Sequence, residues 1–193
     1  MNWLDFIASV VSSLAWPVVV VVTLLVLKEP IERAIPRLHK LKYKELEAEF
    51  DRELVRIEKE AKEAGFENIQ DDEVIEDFQE NLKQISRISP NAAIVEAFRE
   101  IERSAKKLLE VKGVTPDYKV AAPYRLIERV LEKTKALGTR ELKIFRDLRQ
   151  LRNKITHSEF TATEAQAIEY IELAAQLIAK MEAEISVFAA PIK

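Results

Sequence analysis

Apolar side chains follow three successive patterns along this chain. Residues 6–27 carry no formal charge and end in the run VVVVVTLLVL. Over residues 31–64, Ile31, Ile35, Leu38, Leu41, Leu46, Phe50, Leu54, Ile57, Ala61 and Ala64 recur every three to five positions in a highly charged background. From Ser89 onward, apolar residues return at three- and four-residue spacing in four blocks punctuated by Gly, Pro and Thr. All of these spacings are helical, and no strand-like alternation competes with them. The fold class predicted is therefore all-α.

The first block predicts an N-terminal transmembrane helix, with residues 1–29 as an anchor. Twenty-two helical residues span about 33 Å, enough for a hydrocarbon core of about 30 Å. Trp3 suits the membrane interface, whereas Trp16 lies too deep for that role. Pro17 would kink a helix in water but is tolerated in lipid. A cleaved signal peptide would need basic residues before the apolar run and a small-x-small site after it. Here Asp5 precedes the run and Lys28-Glu29-Pro30 follows it. A buried core helix is the other alternative, disfavoured by five consecutive valines without a polar face. Arg33, Arg37, Lys40, Lys42 and Lys44 form a basic flank with no acid among residues 33–44. The positive-inside rule then puts the N-terminus outside and the bulk of the chain in the cytoplasm, as a single-pass membrane protein. The same cations suit anionic headgroups. His39, within the cluster, reads as a solvated juxtamembrane side chain.

Residues 30–65 predict a long helical stalk ended by Gly65. Its thin apolar seam fits either self-association or folding back on the following domain. Residues 66–88 are expected to form an acidic linker, with seven acids and no Lys or Arg over 67–80. A solvated linker, a loosely held helix and a removable cover for a basic surface all fit that run.

Residues 89–193 predict an antiparallel four-helix bundle. Ser89-Pro90 starts the first helix, which carries Ile94, Val95, Phe98, Ile101, Ala105, Leu108 and Leu109 and closes at Gly113. The second carries Leu126, Ile127, Val130 and Leu131 and stops at Gly138. Thr139 caps the third, with Leu142, Ile144, Phe145, Leu148, Leu151 and Ile155. Thr161 and Glu164 make a capping-box pattern for the fourth, which runs to about Phe188.

Charge and composition narrow the chemistry. Thirty Lys+Arg against 33 Asp+Glu give a net charge of −3, which argues against a generic polycationic nucleic-acid binder. No cysteine is present, so disulfides, thiolate catalysis and Cys-based zinc sites are excluded. His39 and His157 are the only histidines, too few for a His-rich metal centre. No cofactor or metal is called for. The third helix of the bundle stands apart: residues 140–154 hold six cations against Glu141 and Asp147 alone. It ends in LRNKITH, which brings Arg152, Asn153 and His157 within six positions. Asn153 and His157 are four apart and share a face, so the amide can orient the imidazole. Arg152 and His157 are five apart, about 140° around an ideal helix, so a long Arg must bend back or a second copy must supply it. A histidine can take the proton of a ribose 2′-hydroxyl, and a guanidinium can bind the scissile phosphate. The pair suffices for metal-independent RNA cleavage to a 2′,3′-cyclic phosphate. Two cations near a helix C-terminus also occur simply because the dipole favours them there.

The segment Arg152-Asn153-x-x-x-His157 resembles the R-polar-x-x-x-H motif of the HEPN superfamily, all-helical domains many of which are endoribonucleases. Ser89-Pro90 followed by AAIVEAFREIE resembles the first helix of a membrane-associated bacterial branch of unknown function, and TEAQAIEYIELAAQLI is similar to the helix after the motif. The likeness covers about residues 89–188. It implies a HEPN-like bundle, a homodimer or higher homo-oligomer with motif-bearing helices face to face, and an RNA substrate. It also implies a toxin or antiviral setting. Arg152 would engage phosphate, Asn153 would position, and His157 would act as acid/base. Arg149, Arg146 and Lys154 are expected RNA contacts on charge alone. Phe98 stands where a bulkier aromatic is common in that branch, a departure expected to touch packing only. The competing reading is a non-catalytic, membrane-tethered interaction or sensor module. Whether a regulatory protein partner holds the domain inactive is open in both.

Overall fold

The structure, a computed structural model, describes residues 3–66, 73–114, 123–157 and 160–189, with the side chains of residues 4–12, 14, 31–43, 73–74, 123–125 and 189 outside the description. Among the described residues six α-helices follow one another: α1 Trp3–Glu63, α2 Glu73–Ile88, α3 Pro90–Val111, α4 Pro123–Thr134, α5 Thr139–His157 and α6 Glu164–Ala189. No strand occurs among the described residues. The protein is all-α, as its periodicities require.

The chain divides into two compact units, Met1–Glu45 and Leu46–Lys193. The first consists of the N-terminal part of α1, where the apolar side chains of residues 18–22 and 24–27 are 45–66% exposed. Among the described residues, no helix is long and apolar enough to cross a membrane. The expected span also includes residues 6–12 and 14, whose side chains lie outside the described set, as do those of Arg33, Arg37, His39, Lys40 and Lys42. Lys44 is exposed.

The second unit has one main core, and it begins far earlier than residue 89. Phe50, Leu54, Ile57, Ala61 and Phe66 are buried within the same cluster as the residues of α3, α5 and α6. The thin seam of the expected stalk is therefore, from Leu46 on, one wall of the globular core: the fold-back alternative describes this part. Gly65, at φ 75°, ends α1 as its sequence position implies. The expected acidic linker also contains a helix. Ile75, Leu82 and Ser86 of α2 are buried at near-helical spacing, while Glu76, Asp77 and Glu80 face solvent. Acidic density masked that amphipathic stripe in the sequence. Residues 67–72 of the same run lie outside the described set. α2 packs on α3 and α6, and α3 packs extensively on α6.

Local signals set the ends of the later helices. Ser89, at φ −147°, accepts a hydrogen bond from the Ala92 N–H at 3.4 Å, with Pro90 in the first turn. Gly113, at φ 75°, closes α3, and the Val114 N–H reaches back to the Leu109 carbonyl at 2.9 Å. Two expected ends move. α4 stops at Thr134, with Lys135 in the left-handed region at φ 52° and the Ala136 N–H donating to the Leu131 carbonyl at 3.1 Å. Gly138 lies beyond this stop, and its carbonyl accepts the Leu142 N–H at the start of α5. The capping box of α6 is Thr163 with Gln166 instead of Thr161 with Glu164. The Gln166 N–H donates to Thr163 Oγ1 at 3.2 Å, and the Thr163 N–H to Gln166 Oε1 at 2.8 Å. Glutamine serves this motif as well as glutamate, and Gln166 is additionally held by Asp51 of α1 at 2.5 Å.

Candidate functional site

α5 carries every motif residue, and its environment decides what each can do. Leu142, Phe145, Leu148, Leu151 and Ile155 recur at helical spacing, and Ile144 and Asp147 are buried as well. With 100° per residue, these positions other than Leu142 occupy an arc of about 160°. Arg152 falls inside that arc, between Leu148 and Phe145, while Asn153 and His157 fall on the opposite side. One helix thus turns the guanidinium towards the protein and the imidazole towards water. His157 is exposed as the last residue of α5.

The Arg152 side chain is only 20% exposed. Its guanidinium lies 5.1 Å from the centre of the Phe98 ring, donates from Nη1 to Asn153 Oδ1 at 3.0 Å, and approaches Glu102 Oε1 to 3.9 Å through Nη2. Burial pushes the Glu102 carboxyl above the usual carboxylate range, against the pull of Arg152 and Lys106. Beneath them, Tyr170 is fully buried and donates from its hydroxyl to the Leu148 carbonyl at 2.9 Å, which ties α6 to α5. Burial also pushes the Tyr170 phenol well above its ordinary range, so it acts as a neutral donor.

The structure thus joins Arg152 to Asn153 and separates both from the expected use of the amide. Asn153 Oδ1 orients the guanidinium, whereas the sequence pointed to the imidazole of His157. Phe98 also has a larger part than packing, since its ring meets Phe145 at 5.7 Å and also supports Arg152. Glu102, Phe98 and Tyr170 were missed as neighbours of the motif. Phe98 and Glu102 stand four apart on α3, so their common face was legible, but not which helix it meets.

The cations expected to contact RNA are engaged within the chain. Arg146 pairs with Glu128 at 2.6 Å and Glu132 at 2.8 Å, and Arg149 with Glu128 at 2.8 Å. Lys154 pairs with Glu49 at 2.7 Å. The remaining α5 cations behave alike: Arg140 donates to the Glu63 carbonyl at 2.6 Å, and Lys143 bonds to Glu60. Each carbonyl or carboxylate partner comes from α1, α3 or α4. The excess positive charge of α5 in the sequence is therefore largely balanced in the fold by acids distant in sequence. Arg149 also borders a polar cleft of about 380 Å³ with Glu128, Arg129 and Glu132.

A second buried charge lies on the same helix. Asp147 Oδ2 meets Arg56 Nη2 at 3.0 Å, and Arg56 bridges onward to Glu53 and Glu60 of its own helix. Burial raises the Asp147 carboxyl even though Arg56 opposes the shift. The network braces α1 against α5, with Arg152 and Lys154 further along the same helix. No family model, curated protein or solved structure matches the chain.

Proposed function

We propose that this protein is a membrane-anchored, metal-independent endoribonuclease of HEPN type, with a composite site built from two copies of α5. The observation that carries the reading is the division of labour on α5: Arg152 and Asn153 are hydrogen-bonded as a unit, and His157 is exposed at the helix end. About 140° separates Arg152 from His157 on one helix, so a two-fold arrangement gives each histidine an arginine from the partner copy. His157 removes the 2′-hydroxyl proton, and the resulting oxygen attacks the adjacent phosphorus. The bond to the 5′-oxygen breaks, and that oxygen takes the proton from the His157 imidazolium as it leaves, restoring the neutral imidazole. A 2′,3′-cyclic phosphate and a 5′-hydroxyl result. Arg152 binds the non-bridging oxygens and offsets the charge building there. The HEPN resemblance supports a toxin or antiviral role.

The anchor belongs to the same proposal. Exposed valines and leucines of residues 18–27 leave a large apolar surface that lipid would cover. The basic flank then keeps the second unit on the cytoplasmic side of the bacterial inner membrane. A non-catalytic interaction module is the second reading, and the pairing of the α5 cations with internal acids favours it.

Full-length protein in lipid nanodiscs, wild type and His157→Ala, is incubated with total RNA and EDTA. Cleaved ends are then assayed for 2′,3′-cyclic phosphate. Cutting by the wild type alone is the expected result. Equal cutting by both removes His157 from the mechanism. Absence of cutting by either, with both folded and equally oligomeric, supports the interaction module. Co-flotation with anionic liposomes tests the anchor, and recovery of the full chain at the bottom of the gradient refutes it.

A further inference from the structure

His157 is the last residue of α5. The closing turn of a helix frays most readily, because its carbonyls have no partner within the helix. An imidazole there keeps one place only where the chain beyond it is held. Residues 158 and 159 alone separate His157 from Phe160, and from Phe160 on the chain is gripped by other helices. Asn91, in the first turn of α3, donates from Nδ2 to the Phe160 carbonyl at 3.2 Å and accepts the Ala162 N–H on Oδ1 at 2.8 Å. Both ends of one rigid amide thus serve two backbone groups of the same segment. The Phe160 ring is buried on that of Phe50 of α1, and Ala162 is buried as well. Gln166 accepts the Thr163 N–H and is itself tied to Asp51 of α1. Three Cα–Cα steps of about 3.8 Å keep Phe160 within about 11 Å of His157, so a fixed Phe160 limits how far the helix end can stray.

Resting on the nuclease reading above, we propose that Asn91 is a positioning residue for His157, holding the chain that leaves α5 so that the imidazole meets the ribose 2′-hydroxyl from a fixed place. In this role Asn91 needs no contact with RNA. Proton removal is steep in distance and angle, so loosening the helix end lowers the rate of the chemical step. Phosphate binding belongs to Arg152 and is left as it was. That split, rate without affinity, separates positioning from a general loss of fold.

The test uses full-length protein in lipid nanodiscs: wild type, Asn91→Ala, Asn91→Gln and, as a stability control, Ile127→Val. Hydrogen exchange read by mass spectrometry follows α5. In Asn91→Ala the amides of residues 155–157 should exchange about tenfold faster, the factor expected when two hydrogen bonds no longer oppose local opening. Residues 143–151 should keep wild-type rates. Asn91→Gln, which carries the same amide on a longer arm, should recover part of the protection. Ile127→Val removes a buried methyl group on α4 and should leave the end of α5 as in the wild type. Single-turnover RNA cleavage by Asn91→Ala should fall about ten- to a hundredfold. Its Kd for a 2′-O-methyl RNA oligonucleotide, which offers phosphates without the attacking hydroxyl, should stay within about twofold of wild type. Unchanged exchange at residues 155–157 overturns the positioning role. So does a loss of rate matched by an equal loss of affinity, or one that Ile127→Val shares. Faster exchange where even the wild type cuts no RNA retires the nuclease but keeps the hold of Asn91 on His157. Cutting by the wild type that Asn91→Ala leaves untouched does the reverse.

Discussion

Replacing Phe50 with alanine asks whether the second half of α1 belongs to the globular unit or stands apart from it. Phe50 is 0% exposed, and its ring meets that of Phe160 at 5.4 Å with a 42° tilt. Returning a buried phenylalanine side chain to water costs about 2 kcal/mol. The cavity left beside Phe160, Leu54 and their neighbours raises the loss to about 3–5 kcal/mol. Domains of this kind are stable by about 5–15 kcal/mol, so the variant should lose a large share of its margin. Val55, one residue beyond Leu54 on the same helix but 59% exposed, supplies the control. Val55→Ala should cost no more than about 0.5 kcal/mol. Urea unfolding of the full chain in detergent, followed by circular dichroism, measures both, with the midpoint shifting at constant slope. Similar losses below about 1 kcal/mol for both variants would refute the placement of α1 in the core. They would return this segment to an independent stalk.

Other outcomes follow from single features. Thr163→Ala should cost about 1 kcal/mol in thermal or urea unfolding, because it removes the hydroxyl that receives the Gln166 N–H at the start of α6. Lys135→Gly should raise stability by about 0.5–1 kcal/mol, because Lys135 stands at φ 52° where glycine is free of strain; a lower melting temperature would contradict the backbone assignment. Burial opposes ionisation of Glu60, but Lys143 and Arg56 outweigh it and hold its carboxyl below the usual value of 4.5. Its ionised form therefore adds stability above about pH 4.5 that is lost as pH falls through the lower folded value. Glu60→Gln should remove that component, seen as a shallower acid limb in a plot of melting temperature against pH. Asp147 has the opposite sign: its raised carboxyl adds stability below the unfolded value of 3.8 that is lost as pH rises through the folded one. Asp147→Asn should accordingly remove this opposing component, and an unchanged pH profile would contradict it.

Helix ends and faces were legible wherever the signal was local. Ser89-Pro90, Gly113 and Gly65 mark ends where the structure has them, since caps and left-handed residues act within one turn. Lys135 was not legible as an end, because nothing in its side chain asks for a positive φ; the left-handed turn goes with the Ala136 N–H closing back on the Leu131 carbonyl. The Thr163–Gln166 cap lost to Thr161–Glu164 because both strings fit the rule and only the path of the chain decides between them. The seam of Phe50, Leu54 and Ile57 was visible, but a stripe does not say which surface it meets. The candidate site divides in the same way. Arg152, Asn153 and His157 could be read from six residues, whereas Glu102, Phe98 and Tyr170 join Arg152 only through tertiary contact. The cations of α5 showed in the composition, and the acids that balance them lie up to 105 positions away, as in the Lys154–Glu49 pair.

Those pairs also bear on how the helices of the second unit come to have one arrangement. Leucine, isoleucine and alanine faces are nearly interchangeable, so apolar burial alone would tolerate several orders of neighbours around α5. Each stretch of α5 instead has its own counterpart: Lys143 and Lys154 match α1, Arg146 and Arg149 match α4, and Arg152 matches α3. The matching works as an address code, in which a misplaced helix would leave a charge facing the wrong neighbour. Its signature is reciprocal exchange. Lys154→Glu alone should loosen the placement of α1, and adding Glu49→Lys should restore it by rewriting both halves of one address.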